Sequence, residues 1–472
     1  SWPQRHGLVG RKEEVGLLID AFEEVRSSGH AAMKLVRGVP GIGKSRLLRS
    51  LLEYATDTDA FLLKATAFES DAIRPFSIWI DSLRALGSDV HEQIFGATDV
   101  ANRDRLFAGL SDLVADTTKN HPVVIVFDDL HWCDESSASA LHYVARMNRE
   151  RPVLGVFSAR SGEIRDNAPL QLALRGMRRD GLLDEFELGP LPADAVSQLI
   201  AEQAPNADCE RLGHECGGNP LLAIELARAE SDGATSRSLD DLIRERLTRF
   251  SATGSEVLKW AAVLLPPVDP ATLAIATGLD ATEVGEILEV AERQAMLVPA
   301  DSGLRYSHDL IAKAVYADIS PLRRQVMHRR AAEILEQESA LDLARASWLA
   351  HHATLSGDPG LAARAMVSAG KLCLRFFAND DARSLARKGL QFAKELGEAA
   401  RVAVEIDLHD VLLSAEPIDD WEAAAELYAS LAERALDLGD LSHARAGYHM
   451  AAYVRWTQGE WERAREQSLQ SS

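Results

Sequence analysis

The residues with the clearest chemical potential lie in the run "LVRGVPGIGKSRLL", Leu35 to Leu48. Gly38, Pro40, Gly41, Ile42, Gly43, Lys44 and Ser45, followed by Arg46, fit a phosphate-binding loop. The glycines let consecutive backbone amides curl around phosphate oxygens, with the N-terminus of the next helix aimed at the same anion. Lys44 would reach the β and γ phosphates, and the Ser45 hydroxyl would ligate Mg²⁺. One hydroxyl does not complete a metal site, so a carboxylate at a strand end is needed. The segment "PVVIVFDDLHW" supplies it: 84 residues after Lys44, five apolar residues end in Asp128 and Asp129. Asp128 would hold Mg²⁺, directly or through water, while Asp129 would orient and deprotonate the attacking water. A further apolar run, "VLGVFSAR", ends in Arg160, placed to sense γ-phosphate charge. Asp134 reads as a helix N-cap, with His131 and Trp132 as packing or positioning residues. The chemistry implied is binding of ATP or ADP with Mg²⁺, and hydrolysis of the former.

These groups need a sheet to hold them. Between residues 31 and 190, "AAMKLV", "FLLKATA", "VVIVF", "VLGVFSA" and the weaker "FELGPL" alternate with helical patterns. Continuous apolar strands separated by helices predict a parallel sheet covered on both faces, an α/β nucleotide-binding core at 1–190. Strand signals then fade, and 191–237 reads as a small helical lid closed by the polar linker "SDGATSRS". Residues 238–330 predict helices followed by one hairpin, "AMLVPADSGLRYSH", turning at Asp301, Ser302 and Gly303, the pattern of a winged helix. From 331 to 472 the chain is Ala-rich amphipathic helix. Ala382, Trp421 and Trp461 recur at steps of 39 and 40 residues, the period of stacked helix pairs of the tetratricopeptide kind.

Composition narrows the function classes. A chain of 472 residues with 46% hydrophobic content predicts about three globular domains, and no apolar run reaches the roughly 18 residues of a membrane span. Four scattered cysteines make a reducing cytoplasm the default; Cys209, His214 and Cys216 lie close together, but one cluster without a second pair is a weak zinc signal and reads as structural. A formal net charge of −21 repels nucleic acid, so DNA would be gripped only through a module outside this chain. The basic run "LRRQVMHRRAA" reads as a solvated helix face rather than a duplex-binding patch. The Ser at position 1 and the helical ending suggest a fragment of something longer.

Together these residues carry a family resemblance. "LVGRKEE", Leu8 to Glu14, resembles the N-terminal signature of the signal-transduction ATPases with numerous domains, and "VFDDLHWCDESS" is similar to the second acidic motif of the large ATP-binding LuxR-type regulators in that class. "CGGNPLLAIEL" is similar to their lid motif, and "LRYSHDLIAKAVY" resembles their winged-helix segment. The resemblance implies that Val9, Gly10 and Arg11 lie by the nucleotide, that Pro220 sits against adenine, and that His308 reaches the diphosphate of a resting state. Lys12 stands where the signature usually has Glu, and Ser307 where some relatives have Met. It further implies an ADP-closed switch opened by ATP, self-oligomerising, with slow hydrolysis and a small-molecule or protein inducer on the repeat domain. Transcription is the implied output. A nucleotide-bound scaffold without turnover, a DNA-remodelling ATPase, or the same switch on a cyclase or kinase are the alternatives.

Overall fold

The structure is a computed structural model, described for residues 8–86, 94, 103–231, 239–264, 268–300, 303–337 and 343–470. Most of the expected linker at 231–238 and the hairpin-turn residues Asp301 and Ser302 fall outside that range. Two compact units result: residues 1–72, 76–100 and 104–323 form the first, and 73–75, 101–103 and 324–472 the second. The three domains expected before residue 330 thus share one unit. The division from the repeat region falls within the helix Pro321–Glu336 rather than at 330/331.

The first unit opens with α1 (Lys12–Ser28), β1 (Ala32–Arg37), α2 (Lys44–Asp57), β2 (Phe61–Thr66), α3 (Ser77–Arg84) and α4 (Arg103–Thr117). Next come β3 (Val123–Asp128), α5 (Glu135–Met147), β4 (Val153–Ala159), α6 (Ala168–Arg179) and β5 (Leu183–Glu187). The five strands are parallel in the order β2-β3-β4-β1-β5. The β-branched and aromatic residues of β3 and every residue of β4 are buried, so both faces are covered, as a helix-covered parallel sheet requires. The fifth strand lies earlier than "FELGPL" suggests, at Leu183–Glu187, because Gly189 and Pro190 stop the ladder and only Phe186 and Glu187 of that run join it. The order matters for chemistry: β4 lies between β1 and β3, so its C-terminal end separates the phosphate loop from the paired aspartates.

Asp134 caps α5 as expected and does more than cap. Its carboxylate accepts from Ser137 N at 2.7 Å, Phe76 N at 2.9 Å, and Ser77 N and Oγ at 3.2 and 3.1 Å, tying the start of α3 to α5. The residue is 1% exposed, and burial holds its carboxyl above the usual range despite these donors. Asp134→Ala strands several buried donors at once and is expected to cost about 2–4 kcal/mol, read as a lower urea midpoint. An unchanged midpoint would show that water replaces the carboxylate.

The segment expected to form a lid is α7 (Ala193–Gln203), α8 (Cys209–Cys216) and α9 (Pro220–Ser231) around Leu191, Val196, Ile200, Leu212 and Leu226. After it come α10 (Leu239–Thr248), α11 (Ala252–Leu264), α12 (Pro270–Thr277) and α13 (Ala281–Arg293). Asp269 and Asp280 cap the last two of these. The antiparallel pair β6 (Leu297–Ala300) and β7 (Gly303–Tyr306) follows, with a bridge from Val268 to Leu304, then α14 (Asp309–Ala317).

The helix α15 (Pro321–Glu336) leads into the second unit. That unit continues with α16 (Leu343–Leu355), α17 (Pro359–Arg375), α18 (Asn379–Ala393) and α19 (Glu398–Ala415), then α20 (Trp421–Asp437), α21 (Leu441–Thr457) and α22 (Trp461–Gln470). From α16 onward each helix packs on the next, and α17 and α21 also touch α19. Small residues permit the close approach: Ala362, Ala369 and Gly370 of α17 and Ala382, Ala386 and Gly389 of α18 are buried. The repeat register differs from the sequence reading. Helices α18, α20 and α22 start at Asn379, Trp421 and Trp461, so Ala382 corresponds to Ala424 and Ala464, at steps of 42 and 40, and not to the two tryptophans. The helix start sets the register where side-chain bulk misled. Among the described residues no helix is long and apolar enough to cross a membrane.

Candidate functional site

The phosphate loop joins β1 to α2, as the sequence predicts. Gly41 and Gly43 take φ of +79° and +105°, conformations that side-chain-bearing residues rarely adopt. Crowding adds to this at Gly41, where a Cβ would lie 2.9 Å from Asn219 Oδ1 and 3.2 Å from Leu221 Cβ. Ile42 points into the core under α1 and α2, which anchors the loop from below. Ser45 and Arg46 are exposed on the first turn of α2. Lys44 is buried, and its Nζ donates to the carbonyls of Gly38 at 3.0 Å and Val39 at 3.2 Å. Burial lowers its pKa, an effect opposed by the nearby carboxylates Asp129 and Asp128 and reinforced by Arg160.

The paired aspartates stand at the end of β3. Asp128 accepts from Ser158 Oγ, and Asp129 N donates to Ser158 Oγ at 2.9 Å. Asp129 has φ +52°, a strained value that turns its side chain away from the line of the strand. Burial, then repulsion from Asp128, pushes the Asp129 carboxyl up to about 7, with Arg160 and Lys44 pulling the other way. Lys44, Asp128, Asp129 and Arg160 therefore converge on one place. Ser158 was missed in the sequence, although it left a signal: it is the one hydroxyl in the apolar run "VLGVFSA", and it is fully buried.

Arg160 does not stand free to meet a phosphate. Its guanidinium bonds Glu163 Oε1 at 2.9 Å and pairs with Asp309 Oδ2 at the N-terminus of α14. His308, one residue earlier, caps that helix by accepting from Leu310 N at 3.1 Å through Nδ1. Burial pushes its pKa down to about 4, with Asp309 opposing and Arg160 and Lys44 reinforcing the shift. The ring is neutral at pH 7, and because Nδ1 accepts, its hydrogen resides on Nε2, a donor.

Two other elements close on the loop. Asn219 Nδ2 donates to Pro40 O at 3.0 Å, and Pro220 Cγ lies 3.9 Å from where a Cβ on Gly43 would be. Arg11 is 5% exposed, bonded to Glu14, Ile42 O and Gly189 O, with a buried Nε that lacks a protein partner. Glu14, the last residue of the "LVGRKEE" motif, thus orients Arg11. Val9 packs on the apolar cluster of the lid, and Gly10 approaches α7 so closely that a Cβ would lie 2.4 Å from Ala195 Cβ. These two residues pin the lid to the motif. The residues present fit an Mg²⁺-nucleotide: a glycine cradle, a buried lysine, an exposed Ser45 hydroxyl, a carboxylate at a neighbouring strand end and a buried guanidinium nitrogen without a partner.

The comparisons agree with this geometry. Residues 7–157 match the AAA ATPase domain family. An uncharacterized protein of Rhizobium meliloti is 25% identical over 464 residues, an alignment that covers 83% of this chain. The chain spans 43% of the length of that relative. Among solved structures, a Signal Transduction ATPase with Numerous Domains (STAND) protein with a tetratricopeptide repeat sensor, from Pyrococcus horikoshii, superposes with a TM-score of 0.54 at 14% identity, covering 98% of this chain and 67% of that one. Residues 7–157 are thus similar to the AAA ATPase domain family, within a fold that the chain shares with a STAND protein.

Proposed function

We propose that this chain is the nucleotide-operated switch of a signal-responsive transcriptional regulator, closed with ADP and opened by ATP into a self-associating form, with slow hydrolysis as the reset. The observation that carries this reading is the ion pair between Arg160 and Asp309. A γ-phosphate requires cationic partners beside the loop lysine, and Arg160 at the end of β4 is the group placed to serve. Asp309 already holds it. ATP and Asp309 therefore compete for one guanidinium, whereas ADP, lacking the third phosphate, leaves the pair intact. A ligand shifts a conformational equilibrium only through its difference in affinity for the two states, and this competition is such a difference. His308, neutral with a donor on Nε2, suits a diphosphate in the closed form, and Asn219 and Pro220 bring the lid onto the same loop.

Bound Mg²⁺ would neutralise phosphate charge; Ser45 and Asp128 are the residues to hold it. Lys44 binds phosphate, Arg11 supports the Ile42 carbonyl beneath the loop, and Asp129 takes the proton of the attacking water. The helices and hairpin at 239–317 suit a winged-helix module, and the repeat unit suits a tetratricopeptide-like sensor for a small-molecule or protein inducer. The LuxR-type output rests on the "FDDLHW" and "GGNP" resemblances and places DNA binding outside this chain.

Asp309→Asn is expected to raise affinity for ATP relative to ADP about fivefold, measured by competition against a fluorescent nucleotide, and to favour larger species in light scattering. An unchanged ATP/ADP ratio would remove the latch. A scaffold without turnover is the second reading, favoured by Lys44 being turned onto its own loop carbonyls. Phosphate release by Asp129→Asn, argued below, separates the two.

A further inference from the structure

Far along the chain from the nucleotide residues, the second unit contains three histidines that the switch does not use. His328 lies on α15, and His351 and His352 lie on α16. One ring nitrogen from each lies within 4.8 Å of the others, and His328 Nδ1 is 2.9 Å from His352 Nδ1. His328 and His352 are 2% and 1% exposed, while His351 is half-buried at the edge. Three imidazoles seldom gather in a core for packing alone, since each buries polar nitrogens that must find partners.

We propose that His328, His351 and His352 form a divalent transition-metal site of the zinc class, with three protein ligands and a fourth position for water. Neutral imidazole is the ligating form, and burial holds all three rings well below their usual pKa. A tetrahedral ion with nitrogen at about 2.0–2.1 Å sets its ligands roughly 3.4 Å apart, so the rings close by modest side-chain rotation. The close His328–His352 pair is now a hydrogen bond between two Nδ1 atoms, one donating; ligation by both needs only that the donor's hydrogen move to its Nε2. Arg324 acts on His328 and Lys388 on His351, and both disfavour an added cation. A purely nitrogen donor set selects against Mg²⁺ and Ca²⁺, which take oxygen ligands, and in favour of ions with high affinity for imidazole, such as Zn²⁺ and Co²⁺.

The test uses the full 472-residue chain, stripped with chelator and free of nucleotide, titrated with Co²⁺ and followed by visible absorption and calorimetry. The expected result is one equivalent per chain with the intense bands of a four-coordinate ion, displaced by Zn²⁺. His351→Gln, at the rim and least apt to disturb folding, should weaken binding at least tenfold. His328→Gln/His352→Gln, checked by circular dichroism, should abolish the four-coordinate bands. Lys388→Gln should tighten binding by removing the repelling charge. Absence of a stoichiometric four-coordinate species in the native chain, or one that persists in His351→Gln at unchanged affinity, overturns the site.

Discussion

Lys44→Ala is expected to weaken ADP and ATP binding about 10- to 100-fold and to lower hydrolysis a further order of magnitude. Lys44 is held in a buried position by two loop carbonyls, with its charge balanced by Asp129 and Asp128. A phosphate entering the cradle takes over those hydrogen bonds, and desolvation makes each charge-assisted contact stronger than it would be in water. The alanine variant leaves the buried Gly38 carbonyl without its donor, so stability should fall by about 1–3 kcal/mol. Fluorescent-ADP titration and phosphate release read the two effects separately. Unchanged ADP affinity in a folded variant would mean that the loop does not bind nucleotide.

How far the sequence reveals this site depends on the range of the interactions. The phosphate loop is local: its glycines, lysine and serine act within one turn between a strand and a helix, and their spacing alone predicts the conformations found at Gly41 and Gly43. Asp128, Asp129 and Arg160 sit at ends of apolar runs, so strand periodicity places them on one edge once the sheet is parallel. What the string hides is order and pairing across the chain. Nothing in "VLGVFSAR" says that β4 lies between β1 and β3, so Ser158 as the partner of Asp128 could not be read. Asp309 follows the motif histidine directly, yet its partner is 149 residues earlier, and only the packing of α14 on the core pairs it with Arg160. Asn219 was visible as part of "GGNP", but its bond to the Pro40 carbonyl is a tertiary contact. The repeat register failed for a related reason: tryptophans stand at the starts of α20 and α22, whereas the residue equivalent to Ala382 lies three positions into each helix, at Ala424 and Ala464. The histidine cluster left no mark at all, because His328 and His352 are 24 residues apart and meet only when α15 and α16 pair.

Asp129→Asn should lower phosphate release about 10²- to 10³-fold while leaving ADP affinity within about threefold, since the carboxylate serves the attacking water rather than the bound phosphates. Its raised pKa carries a second consequence. Below about pH 4 the carboxyl is protonated in both folded and unfolded chains and has no net effect. As pH rises toward 7, the unfolded chain releases the proton and the folded chain keeps it, held by burial and by Asp128, so folding loses stability across that window. The loss is complete once Asp129 ionises in the folded protein. Asparagine cannot ionise, so the variant should be more stable than the parent by about 1–2 kcal/mol at pH 8 and by almost nothing at pH 4, read from urea midpoints at each pH. The side chain is 22% exposed, and water screens part of this penalty. In the parent, hydrolysis by an ionised Asp129 should rise from pH 6 to pH 8 for the same reason. A stability difference that is flat with pH would mean that Asp128 and burial do not hold the proton on Asp129. Phosphate release equal in parent and variant would leave a nucleotide-bound scaffold as the function of this unit, because a base that can be removed without effect is not taking part in hydrolysis.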